Sequence, residues 1–192
     1  MFHEREEIKI SGLIQAARSI DLFLFEYADD HGGQYPEGKS STEVFQKLID
    51  GGYVSSPANQ EEASGPEIFY FPMPGKVKPT SKTLRPENVC WDVTCCLDTH
   101  SPNDTPVVYL TGYKVTYQGG ANAMPEPWPA RTWWEWLTAA DYPRGFIVVG
   151  YLSNSNIVLK AAPDGSIPNF ITPHFYGNIM TYHQLTPDGT KP

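Results

Sequence analysis

No stretch of this sequence is apolar over the roughly 20 residues that a membrane-spanning helix needs. Clusters of positive charge are missing too. Fourteen Lys and Arg stand against 22 Asp and Glu, for a formal net charge of −8. Nucleic-acid binding depends on grouped cations that displace counterions from phosphates, so that partner class is excluded. The locally basic run of Lys76, Lys78, Lys82 and Arg85 is spread among prolines and reads as a solvated loop. Catalytic signatures are likewise absent. His3, His31, His100, His174 and His183 are scattered, and neither His-x-x-x-His nor Gly-x-Ser-x-Gly occurs. No glycine-rich phosphate loop precedes a helix. The chain therefore reads as a non-enzyme. It carries no internal repeat and no low-complexity segment.

Cysteine is scarce: Cys90, Cys95 and Cys96, all within seven residues. In an exported protein a disulfide from Cys90 to Cys95 or Cys96 is expected, with one thiol left over. Such a pairing needs a turn, since an extended chain would hold the Cα atoms beyond disulfide range. The alternative is three buried small hydrophobes. Zinc is not expected, because adjacent cysteines do not easily share a tetrahedral ion and no Cys-x-x-Cys occurs.

Proline, glycine and aromatics are plentiful: 18 Pro, 16 Gly, 11 Tyr, 9 Phe and 5 Trp in 192 residues. That mixture favours short strands joined by irregular loops over a helical bundle. The length suits one domain. The exception is the N-terminal segment. Ile10, Leu13, Ala17, Ile20, Leu24 and Tyr27 recur at helical spacing, which predicts a helix over about residues 4–30. At the standard rise it would be about 40 Å long. Glu4, Glu6 and Glu7 suit the positive end of its dipole, and His31-Gly32-Gly33 stops it.

A second helix should open at Ser41-Thr42-Glu43, capped by Ser40 or Ser41, with Val44, Phe45, Leu48 and Ile49 buried and Gly51-Gly52 at its end. Strands are predicted at Ile68–Phe71, 89–97, Val107–Tyr117, Phe146–Leu152, Ile157–Ala161 and about Asn178–Leu185. Asp98–Asp104 and Pro163-Asp164-Gly165 read as turns. Thr132-Trp133-Trp134-Glu135 is a capping box for a short helix.

The run from Ala17 to Val54 resembles type IV pilin-like proteins, above all the major pseudopilins of type II secretion systems. Tyr27, Asp30, Gly32, Tyr35 and Pro36 match the motif that closes that family's spine helix. Leu48, Gly52, Tyr53 and Val54 match the exit of the short helix after it. The resemblance covers about a quarter of the chain. It implies an α+β fold: a long N-terminal spine helix (residues 1–34) packed on the antiparallel sheet of a globular head (residues 35–192). It implies a structural subunit of a pilus-like or pseudopilus filament in the bacterial cell envelope. Other pilin-like subunits would be its partners, and an apolar half-helix upstream would anchor it in the membrane. On that reading the chain starts within the spine, with Met1 added at the cut. The family's Gly-Phe-x-x-x-Glu cleavage site does not occur near the start of this chain.

Ile14, Phe23 and Phe25 lie off the main apolar stripe and are candidates for contacts between subunits; otherwise they belong to the core. Major pseudopilins bind calcium in a loop, and Asp98, Asn103 and Asp104 offer oxygen ligands at loop spacing. The alternative is an Asx-rich turn without an ion. No other cofactor is implied. The competing function is an envelope module that binds glycans or a protein partner through Trp128 and Trp134 in the tryptophan-rich stretch.

Overall fold

The structure, a computed structural model, describes residues 2–54, 65–117, 120–126, 146–171 and 182–189, with side chains from Ile10 onward. It is α+β. Helix α1 runs from Phe2 to Asp30 and helix α2 from Ser41 to Asp50. Among the described residues five strands form one antiparallel sheet: β1 (Trp91–Thr94), β2 (Pro106–Leu110), β5 (Phe146–Tyr151), β6 (Ser155–Lys160) and β7 (Gln184–Leu185). Their order is β6-β5-β2-β1-β7. A small separate ribbon pairs β3 (Tyr113–Lys114) with β4 (Met124–Pro125).

α1 lies on this sheet because its apolar stripe has nowhere else to go. Leu13, Ala17, Ile20, Leu24 and Ala28 are all buried, against β5, β6, β2 and the 3₁₀ turn Pro66–Phe69. The helix ends at two glycines with positive φ, Gly32 at 64° and Gly33 at 88°. The Gly33 N–H donates to the Ala28 carbonyl at 2.7 Å, which closes the last turn. The chain then leaves as a partner of the segment after β1. Tyr35 N–H donates to Leu97 O at 3.1 Å, and Thr99 N–H to Gly33 O at 2.9 Å.

α2 is capped as its sequence suggests. Ser40 Oγ accepts from the Glu43 N–H at 3.1 Å, and Glu43 Oε2 accepts from the Lys39 N–H at 2.8 Å. Val44, Phe45 and Leu48 are buried, with Ile49 half-buried. Phe45 stacks on Phe69 at 4.4 Å between ring centroids. The two stretches that carry the pilin-like resemblance touch each other. Tyr53 OH donates to Asp30 Oδ2 at 3.0 Å and its ring meets Tyr27 edge-on, while His31 stacks on Tyr27 at 3.8 Å.

Several strand expectations are corrected. Ile68 and Phe69 lie in the 3₁₀ turn, since Pro66 presets the φ of its first residue. Val107–Tyr117 is not one strand. It breaks at Gly112, whose φ of 106° no continuous strand follows, into β2 and β3. The last strand contains Gln184 and Leu185, and residues 178–181 lie outside the described residues. The helix expected at Trp133 also lies outside them, as do Trp128 and Trp134. The β5–β6 hairpin is present, with Asn154 at φ 59° in its turn.

Candidate functional site

Among the described residues, two places gather side chains capable of chemistry. The first is a groove of about 370 Å³ beside α1, bounded by Asp21, Leu22, Phe25, Tyr35, Tyr151 and the β5–β6 turn. Asp21 sits between Ile20 and Leu24 and turns inward onto β5. There Gly150 admits it: a Cβ at Gly150 would stand 2.7 Å from the Asp21 Cγ. The carboxylate oxygens of Asp21 are buried without a hydrogen-bond partner among the described residues. Burial therefore holds its pKa well above the usual carboxylate range. Asn156 opposes that shift, at a geometry too poor for a full hydrogen bond. Burial, then the nearby Asp21 charge, push Tyr35 up to about 12.

The second place lies where β1 ends. Thr94 pairs with Gln184, and the Cys95 N–H donates to His183 O at 2.8 Å, so the β1–β7 ladder sets His183 opposite Cys95. In a regular strand Cys96 would face away from Cys95. Instead the chain bends and Cys96 takes φ 65°. Its Sγ comes to 3.0 Å from the Cys95 Sγ. Both sulfurs and a ring nitrogen of His183 lie within 4.8 Å of one another, with Cys95 buried and the other two exposed. Burial, then the neighbouring Cys96 thiol, push the Cys95 thiol up to about 12.

Beside it runs a buried polar network. Gln184 Nε2 donates to Asp92 Oδ2 and to Tyr113 O, both at 2.6 Å, and Gln184 Oε1 accepts from the Val115 N–H at 3.0 Å. Asp92 is pushed up to about 7 by burial, against hydrogen bonds from Thr111 and Gln184. Thr94, Tyr117 and Tyr109 continue the network through hydroxyl contacts of 2.8 and 2.9 Å.

The sequence-derived candidates fall unevenly on this map. Cys90, Cys95 and Cys96 are all free thiols. Cys90 is buried apart from the bend, its thiol donating to Phe71 O and accepting from the Phe71 N–H, each at 3.1 Å. The expected Cys90 disulfide is therefore not formed, and the contact is between the adjacent pair. His183 had no sequence signal, because it lies 87 positions after Cys96 and only the sheet brings them together.

Asp98 Oδ1 accepts from the His100 N–H at 2.9 Å and the Ser101 hydroxyl at 3.1 Å, an Asx turn. Asn103 and Asp104 border a hollow with Tyr151, Ser153 and Ile157 that does not include Asp98. Ile14 and Phe23 are half-buried against the core, whereas Phe25 is 51% exposed. They do not make one strip. Helical geometry sets Ile14 and Phe25 on one flank of the buried stripe and Phe23 on the other. Leu22, 49% exposed, joins the Phe25 flank and was missed from sequence.

No protein-family model matches the chain, and no curated protein or solved structure matches it either.

Proposed function

We propose that the chain is the globular part of a filament subunit, of the type IV pilus-like or type II secretion pseudopilus kind, working in the bacterial cell envelope. The observation that carries this reading is α1. It is 29 residues long, buries one stripe on the sheet, and leaves Leu22 and Phe25 exposed on a neighbouring flank. Two large apolar side chains exposed on one flank beside a groove are what a contact between subunits would cover. The contact of Tyr53 with Tyr27 and Asp30 adds support, since it joins the two stretches that resemble pilin-like proteins. The role is structural and non-catalytic, and neighbouring subunits would cover the Leu22–Phe25 flank. Calcium at Asp98, Asn103 and Asp104 is not needed for it.

The experiment is to sequence the gene upstream of these codons and express its full product in a cell that assembles pilin-like filaments. The reading expects a Gly-Phe-x-x-x-Glu site followed by an apolar half-helix, and filaments visible by electron microscopy. A full product without that segment, and without filaments, would sink it.

A further inference from the structure

We propose that Cys95, Cys96 and His183 form a binding site for a thiophilic divalent metal ion, zinc(II) in the first instance, with a fourth position open to water. This goes beyond the filament reading and does not depend on it.

Three observations converge. The donor set is two sulfurs and an imidazole, the soft-to-borderline combination that suits zinc. All three ligand atoms lie within 4.8 Å of one another. The backbone is arranged to bring them there: the ladder sets His183 opposite Cys95, and Cys96 holds a φ of 65° that a non-glycine residue adopts at an energetic cost. Without that left-handed residue the two sulfurs would lie on opposite faces of the strand.

The fit is close. In a tetrahedral site with Zn–S near 2.3 Å, two sulfurs stand about 3.8 Å apart. Here they are 3.0 Å apart, and the exposed Cys96 side chain has room to swing outward. Cys95, buried and tied through its N–H to His183 O, is the fixed ligand. Cys96 and His183 face solvent and leave the ion a path in. Binding converts both thiols to thiolates and releases two protons per ion, with no oxidant or reductant required. Neutral His183 donates a ring lone pair.

The test uses the full chain, reduced and freed of metal. Zinc(II) is titrated against a chromophoric chelator, and cobalt(II) is added separately to read thiolate-to-metal charge-transfer absorption. One ion per chain, proton release, and the cobalt band are expected. Cys96→Ser and His183→Gln replace exposed side chains, and circular dichroism checks their folding. Each should weaken zinc by more than about tenfold, since even changes outside a ligand shell cost 10–100-fold. Cys96→Ser should also reduce the cobalt band. His100→Ala, at an exposed histidine elsewhere, should change nothing. The proposal is overturned if the reduced wild-type chain takes up no stoichiometric zinc and shows no cobalt band. It is equally overturned if both variants keep full affinity, or if Cys95 and Cys96 close into a disulfide that withstands reduction and withholds both ligands.

Discussion

Asp92 and Asp21 are carboxyls that folding removes from water, and each has consequences that can be measured. Asp92 titrates near 3.9 in an unfolded chain and is pushed up to about 7 here. Between those values the native state holds a proton that the unfolded state has lost. Stability from this group is thus fully present below pH 4 and falls as pH rises to about 7, by roughly 4 kcal/mol, then levels off. Asp21 acts in the same direction from pH 4 upward. Urea melts across pH 4–8 should show the decline, and Asp92→Asn should flatten part of it while keeping an acceptor for Gln184. An unchanged slope in that variant would remove Asp92 as the source. Leu24 offers a plainer case. It is 2% exposed in the stripe under α1, so Leu24→Ala should cost about 2–5 kcal/mol through lost burial and the cavity left behind. A thermal melt unmoved by the substitution would contradict the packing.

Between elements, the tightest fit is α1 against β5 at Asp21 and Gly150. A methyl group at Gly150 would collide with the Asp21 carboxylate, so Gly150→Ala alone should destabilise by about 1–3 kcal/mol. Adding Asp21→Ala clears the space and also removes a buried, poorly bonded carboxyl. The double variant should recover most of the loss, and a double-mutant cycle reads the coupling directly. Purely additive effects would mean the two residues do not meet.

This contact also marks where sequence reading stops. The stripe of α1, the Ser40 cap and the β5–β6 hairpin follow from local period and turn chemistry, and all were legible. Asp21 lies within the predicted helix, but nothing local says that a carboxyl faces a glycine of β5. Pro66 and Gly112 end or break the predicted strands in the structure. Which element each would break depended on the path of the chain around them. The Cys95–Cys96 bend was hidden for a sharper reason. Period-two alternation places neighbours on opposite faces, and one left-handed residue cancels that rule. His183 then arrives through a strand pairing that no window of sequence contains.

At the scale of the whole molecule, the question is what covers the exposed flank of α1. Leu22 and Phe25 stand about half exposed beside the groove, whereas Ile14 and Phe23 already pack against the core. The two sets should therefore respond differently to charge. Phe23→Glu sets a carboxylate against the core and should lower the melting temperature of the chain. Phe25→Glu and Leu22→Glu place theirs in water and should leave folding within about 0.5 kcal/mol of the parent. If neighbouring subunits cover this flank, those same two substitutions should abolish filaments of the full-length product, because docking would then bury an unpaired charge. On the filament reading the isolated chain should sediment as a monomer or weak dimer in either form, since an apolar half-helix upstream would supply most contacts between subunits. Filaments that assemble normally with both charges in place would show that Leu22 and Phe25 face no neighbour. A large, stable oligomer of the isolated chain held through the sheet would argue for a different assembly, one that pairs β6 or β7, the outer strands of the sheet among the described residues.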